Sequence, residues 1–269
     1  MTLRVSIIGP GRAGGALAIA ARAAGHHLAA VVTGPSGAVP ATVADRVVEP
    51  SRLSEIPVDL TIVAVRDDDI AGVASRLAQL RPPTDATVHL SGFTSVTALG
   101  DGLGATGSFH PLQTLPAPEA GARALAGSHV AVTTRSERLR NLLFELATDL
   151  GMKAFELSDE RKPAYHAAAA AAANHVVEAL AVAEDLFRAA SVDPVVAQPL
   201  TRRVVDNVFE MGALASLTGP VARGDIGTVR GHLASADAIG AGREFRLLTE
   251  ALALRAGQPE IASEARSSR

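Results

Sequence analysis

Cysteine is absent from the 269 residues, which excludes a disulfide framework, a thiolate zinc site and a cysteine nucleophile. A basic excess is absent too. The chain carries 25 Lys and Arg against 28 Asp and Glu, a formal net charge of −3, whereas a duplex-binding surface needs surplus cations to neutralise phosphates. No nucleic acid partner is therefore expected. No apolar span approaches the roughly 18 residues of a membrane helix, and the longest single-residue run, the alanines at 167–173, is far shorter, so no membrane partner is expected. The first five residues lead into a strand pattern rather than the charged and apolar regions of a signal peptide, so a soluble cytoplasmic protein is expected. Lysine is nearly missing: Lys153 and Lys162 are the only two among the 25 basic side chains, so each departs from the habit of the chain.

What is present points to a folded enzyme-sized protein. Hydrophobic residues make up 48% and charged ones 20%, enough apolar surface to offset chain entropy. At roughly 100 to 200 residues per domain, about two domains fit. The first two thirds alternate short β-branched runs, at 4–8, 28–33, 60–65, 87–90, 107–109, 130–133 and 153–157, with helical patterns such as 13–24 and 69–79. That alternation predicts βαβ units and a mostly parallel sheet, with Gly25 ending the first helix. After residue 157 the β signal stops. A long alanine-rich helix over 163–190, a break at Ser191-Val192-Asp193-Pro194, and further helices within 195–217, 227–236 and 243–256 follow. The expected fold is α/β: a Rossmann-like dinucleotide-binding domain over 1–157, then an all-α substrate and dimerisation domain over 158–269. The tail from Gln258 is expected to fray.

Gly9-Pro10-Gly11-Arg12-Ala13-Gly14 is a G-x-G-x-x-G motif directly after the strand Val5-Ser6-Ile7-Ile8 and at the opening of a helix. The first glycine allows a tight turn, the second lets backbone approach a diphosphate, and the third permits close helix packing, with the helix N-terminus meeting negative charge. An acidic residue about 20 positions further on would bind the ribose hydroxyls of NAD. The second strand instead ends Val31-Val32-Thr33-Gly34-Pro35-Ser36, without a carboxylate. Arg12, with Thr33 and Ser36 as hydroxyl donors, suits a 2′-phosphate, so NADP (NADPH) is the expected cofactor.

Further candidates sit at later strand ends, where open α/β sheets bind ligands. Val65 and Arg66 are candidate cofactor contacts, and Asp67-Asp68-Asp69 reads as helix capping; ligand partners at metal spacing are missing, so no metal is expected. His89-Leu90-Ser91-Gly92 offers Ser91 and Gly92, and Ser108-Phe109-His110-Pro111 offers His110, held extended by the proline. Either histidine could instead be a buried core group. Lys162 opens the long helix beside Pro163. There the helix dipole disfavours an ammonium and would lower its pKa toward that of a proton donor; the alternative is an exposed lysine beside Arg161. Helical spacing puts Lys162, His166 and Ala170 in one row, with Asn174 drifting by roughly 80° from His166. The lone tyrosine, Tyr165, turns about 100° from His166 and is read as core. Arg223 either pairs with Asp225 or meets a substrate carboxylate.

Taken together, Gly9-Pro10-Gly11-Arg12, His89-x-Ser91-Gly92, Ser108 to Thr114 (SFHPLQT), Lys162-x-x-Tyr165-His166-Ala167-Ala168-Ala169 with Asn174, and Leu217-Thr218-Gly219-Pro220-x-x-Arg223-Gly224-Asp225 resemble one family. It is the Rossmann-like oxidoreductases whose C-terminal helical domain was long catalogued as of unknown function, related to pyrroline-5-carboxylate reductase, ketopantoate reductase and the β-hydroxyacid dehydrogenases. The resemblance implies a helical domain of the 6-phosphogluconate dehydrogenase C-terminal type. Its implied activity is NADPH-dependent reduction of a small 2-oxo acid, with ketopantoate as the best guess and pantothenate biosynthesis as the setting. In that reading Lys162 or His166 protonates the developing alkoxide, Asn174 orients the carbonyl and Arg223 grips the carboxylate, with Ser91 and His110 lining the substrate site. Ala173 departs from the family's frequent Ser-Asn pair. A cyclic imine reductase and a non-catalytic dinucleotide sensor are the alternatives. A homodimer through the helical domain is expected.

Overall fold

The computed structural model of the chain describes residues 1–34, 37 and 39–267. The strands are β1 (Arg4–Ile8), β2 (His27–Val32), β3 (Val58–Val63), β4 (Thr84–His89), β5 (Ala105–Leu112), β6 (His129–Thr134) and β7 (Lys153–Glu156). The helices of the same segment are α1 (Arg12–Ala23), α2 (Ile70–Leu80), α3 (Pro118–Leu125) and α4 (Glu137–Asp149), and α5 (Lys162–Ala189) follows. All seven expected strands form, in a single sheet ordered β2-β1-β3-β4-β5-β6-β7. It is parallel from β2 to β5; β6 runs antiparallel to β5, and β7 parallel to β6.

Alternation along the central strands divides the core. Val5, Ile7, Leu60 and Ile62 pack on one face with Leu17 of α1, Leu125 of α3 and Leu139 and Leu143 of α4. Ile8, Val32 and Val63 point to the other face and meet Ile70, Ala74 and Leu77 of α2. The helix α1 closes as expected at Gly25, which has φ +87° and is followed by a bond from the His26 N–H to the Ala21 carbonyl at 3.0 Å. Asp67, Asp68 and Asp69 form a 3₁₀ turn ahead of α2, but neither that turn nor α2 is capped by a side chain, so the capping expected of them is not made. Asp69 pairs with Arg66 instead.

The chain divides into two compact units, Met1–Ala170 and Ala171–Arg269, so the boundary lies beyond the expected residue 157. The reason is local: the first turns of α5 bond to the sheet. Within the second unit, α6 (Gln198–Met211), α7 (Pro220–Arg223), α8 (Ile226–Ala238), α9 (Gly242–Arg255) and α10 (Pro259–Arg266) follow the rest of α5. Ser191, at φ 58°, ends α5 at the expected break. Val229, Leu233, Ala253, Ile261 and Ala262 form this unit's core, beside the buried Arg246 guanidinium bonded to Asp237.

The tail is a correction. Residues 259–266 do not fray but form α10, with Pro259 in the first turn, where its missing N–H costs no helical bond. Glu264 pairs with Arg230 and Arg266 with Glu250. Ile261 is 1% exposed, and its truncation to Ala should destabilise the helical unit by about 2 to 4 kcal/mol. Denaturant unfolding followed by far-UV circular dichroism checks this; an unchanged midpoint would mean that α10 adds nothing.

Candidate functional site

The motif glycines are required where they stand. Gly9 has φ +93°, and a Cβ there would lie 2.7 Å from the Ala64 carbonyl oxygen, so the turn needs glycine. A Cβ on Gly14 would fall 2.2 Å from the Gly9 oxygen, which is the close packing expected of the third glycine. Gly11 differs: nothing lies within 4 Å of the position its Cβ would take, so the space above it is open to a ligand. The N-terminus of α1 has no side-chain cap and no acidic residue in its first turn, leaving its N–H groups free for an anion. Pro10 is buried, Ala13 half-buried, and Arg12 exposed, with no hydrogen bond or ion pair among the described residues. These features fit a dinucleotide diphosphate. The Thr33 hydroxyl, by contrast, lies 3.2 Å from both the Gly34 and Gly37 carbonyls, so its hydrogen is taken within the loop; Ser36 lies outside the described residues. Val65 packs against the α2 side of the sheet, and Arg66 is exposed, its Nε 3.0 Å from Asp69.

Further along the same carboxyl edge, a polar cluster forms within the first unit. Residues 108 and 110 of β5 point to one face, and the first turn of α5 lies across them. Each helical residue turns 100°, so Tyr165 and His166 flank Lys162, at roughly 60° to one side and 40° to the other. Lys162 is 1% exposed. Its Nζ donates to the Ser91 carbonyl at 3.0 Å and to Ser108 Oγ at 2.8 Å. Burial lowers its pKa to about 8, against the pull of Asp159 and Asp67. The lysine is therefore neither an exposed neighbour of Arg161 nor a group tuned chiefly by the helix dipole, as expected from the sequence; desolvation is the dominant cause.

Ser91 builds the turn rather than offering a free hydroxyl. Its Oγ donates to Asp67 Oδ2 at 2.6 Å and accepts from the Phe93 and Thr94 N–H groups at 3.1 and 2.8 Å. Its own N–H donates to His89 Nδ1 at 3.1 Å. His89 is fully buried, and burial together with the Lys162 charge holds its pKa at about 4, so it is neutral. Gly92 also serves the protein: a Cβ there would come within 2.8 Å of the His110 ring.

His110 Nδ1 lies 2.8 Å from Tyr165 Oη, and the two rings meet edge to face at 5.5 Å. Burial, His166 and Lys162 lower the His110 pKa to about 4, and burial raises that of Tyr165 to about 12. Tyr165 is thus part of the cluster and not of the core, correcting the angular argument made from His166 alone; the spacing from Lys162 was the signal that could have found it. His166 is exposed, its ring 6.0 Å from that of His110 and 6.1 Å from that of Phe93. Asp159, which bonds to the Ser95 hydroxyl and to the Val96 N–H, carried no recognisable signal.

Asn174 and Arg223 are exposed within the second unit. Asp225 caps α8 through the Thr228 N–H at 3.1 Å, and no ion pair joins it to Arg223 among the described residues. Also among the described residues, no group of three or more His, Asp or Glu could hold a metal ion, and no helix is long and apolar enough to cross a membrane.

The sheet and its glycine turn form a Rossmann-like domain, and a helical unit follows it. Residues 128–253 match the family described as Domain of unknown function (DUF2520). No curated protein matches the sequence. Among solved structures, a candidate NADP oxidoreductase of Bacteroides fragilis is 21% identical over 94% of this chain and 99% of its own, with a TM-score of 0.79. An imine reductase of Streptomyces aurantiacus is 15% identical over 98% and 100%, with a TM-score of 0.64. Pyrroline carboxylate reductase of Plasmodium falciparum, with NADP bound, is 14% identical over 97% and 98%, with a TM-score of 0.62. At these identities the likeness is one of fold.

Folding lowers the proton affinity of Lys162, whose ordinary pKa is 10.5. Between about 8 and 10.5 the unfolded chain therefore holds a proton that the folded one has released, and stability rises with pH across that window. A rise on the order of 3 kcal/mol is expected from this group. Lys162→Met should flatten it, as read by urea unfolding from pH 7.5 to 10.5; an unaltered slope would assign the ammonium to water in the folded state.

Proposed function

We propose that the protein is an NADPH-dependent reductase that transfers hydride to the carbonyl of a small 2-oxo acid, with 2-dehydropantoate as the first substrate to test. The observation that carries this reading is the open space above Gly11 at the uncapped start of α1, on the same carboxyl edge as the cluster of His110, Tyr165 and His166. When bound, the cofactor supplies the hydride. The chain does the rest. The Gly11 backbone and the first-turn N–H groups of α1 would hold the diphosphate, and the exposed Arg12 guanidinium would meet the 2′-phosphate. The resemblance assigns Asn174 to orienting the carbonyl and Arg223 to the substrate carboxylate. A second reading, reduction of a C=N bond in a cyclic imine, is supported by the imine reductase and pyrroline carboxylate reductase that share the fold.

The test is NADPH oxidation against a panel of 2-oxo acids and cyclic imines, ketopantoate first, with cofactor affinity measured in parallel. NADPH should bind more tightly than NADH, and Arg12→Ala should weaken NADPH by about 1 to 3 kcal/mol while barely changing NADH. Equal loss for both cofactors would move Arg12 to the diphosphate.

In the same reading the helical unit pairs with a second copy of the chain. The helix α6 buries none of its side chains: Leu200 is 65% and Phe209 86% exposed, with Val204, Val205 and Val208 also open, and Val176, Val177 and Leu180 of α5 are exposed as well. A helix that leaves this much apolar surface open marks an interface, and C2 pairing is the commonest closed symmetry. Sedimentation at micromolar concentration should give about twice the 27.5 kDa of one chain. The double variant Leu200→Glu, Phe209→Glu should sediment as a monomer; a monomeric parent protein would remove the claim.

A further inference from the structure

We propose that the proton completing the reduction comes from Tyr165, held in place by His110, and that Lys162 is a positioning residue rather than the acid. The proposal rests on the reductase reading above. Lys162 is sealed: its Nζ bonds to the Ser91 carbonyl and the Ser108 hydroxyl, and the residue offers almost no surface to a ligand. Tyr165 and His110 are only half-buried. They stand on the same carboxyl edge of the sheet as the glycine turn, with β5 following β4, β3 and β1 in spatial order, and that edge is where open α/β sheets bind ligands.

The tyrosine is held on two sides. Phe155 meets its ring at 5.9 Å, and His110 Nδ1 lies 2.8 Å from its oxygen. Gly92 leaves room for the imidazole, since any Cβ there would collide with it. A phenol has one hydrogen and can accept others. A neutral His110 protonated on Nδ1 donates to Tyr165 Oη, which frees the tyrosine O–H to point at a ligand. The exposed His166 lies beside this pair.

The step balances as follows. A bound reduced nicotinamide would supply hydride for a new C–H bond at the carbonyl carbon, with the π pair of the C=O bond passing to oxygen. The Tyr165 O–H bond breaks as that oxygen takes the proton. The phenolate then takes the Nδ1 proton of His110, while water protonates Nε2, leaving the imidazole neutral in its other tautomer; exchange with water restores the first. A phenol suits this role because the alkoxide left by hydride addition is the stronger base and takes the proton readily.

Two measurements test this. Nitrogen-15 NMR of histidine-labelled protein, with His110 assigned through its loss in His110→Asn, should find its proton on Nδ1, and Tyr165→Phe should shift that signal. A proton on Nε2 would mean that the tyrosine hydrogen is tied to the histidine, and would overturn the proposal without any substrate. With the best 2-oxo acid of the panel, Tyr165→Phe should lower kcat by about 10² to 10⁴ with little change in the NADPH Kd, and kcat of the parent protein should stay level from pH 7 to 9.5. Full turnover by Tyr165→Phe, or a fall in kcat above pH 8 that disappears in Lys162→Met, returns the acid role to Lys162 and overturns the pair while leaving the reductase reading intact. Reduction confined to cyclic imines also overturns it. Failure of the parent protein to oxidise NADPH with any member of the panel overturns the reductase reading, and the proposal with it.

Discussion

An ammonium withdrawn from water and bonded to the Ser91 carbonyl and the Ser108 hydroxyl decides where the start of α5 lies on the sheet. Burying a cation is unfavourable by several kcal/mol unless its donors find acceptors, so the position of Lys162 is tolerated only in register with β4 and β5. Once that register is set, helix and strand geometry do the rest. Residues three and four positions along α5 fall beside Lys162, and residue 110 falls beside 108 on β5. The Tyr165 and His110 pair is a consequence of the lysine contact as much as of its own hydrogen bond. The Ser91 turn, tied to Asp67 on the loop after β3, belongs to the same arrangement.

The cluster also shows why His89 and His110 are neutral. With one buried cation present and little water to screen it, a second positive charge nearby is disfavoured twice, by desolvation and by repulsion. His89 and His110 both experience these effects, His110 from His166 as well as from Lys162; Asp67 partly opposes them at both, and Asp159 at His89. Neutral imidazoles then serve as directional hydrogen-bonding groups: His89 receives the Ser91 N–H, and His110 faces the only tyrosine of the chain.

The helical unit divides into surfaces of two kinds. The helices α8, α9 and α10 enclose Val229, Leu233, Ala253 and Ile261, while α6 carries leucine, valine and phenylalanine with nothing buried. A helix of this length gains little stability in isolation, and among the described residues α6 buries none of its apolar side chains.

Much of this could be read from residue order. The glycine turn was legible because tight backbone approach leaves no substitute for glycine, and the strands because β-branched runs between turn residues have few other uses. Lysine scarcity singled out Lys162, and motif order pointed to the Rossmann-like architecture. The α10 helix was missed because its amphipathic pattern is short and terminal, and only packing against α8 and α9 holds it. What Lys162 touches, what Ser91 bonds and where Tyr165 sits were settled by tertiary structure alone. Those outcomes depend on which strand lies under the first turn of α5, a pairing of residues 54 to 71 positions apart in sequence. Local propensity and spacing carry no record of such a contact, because the free energy that selects it comes from desolvation and hydrogen bonding between segments that meet only in the folded chain.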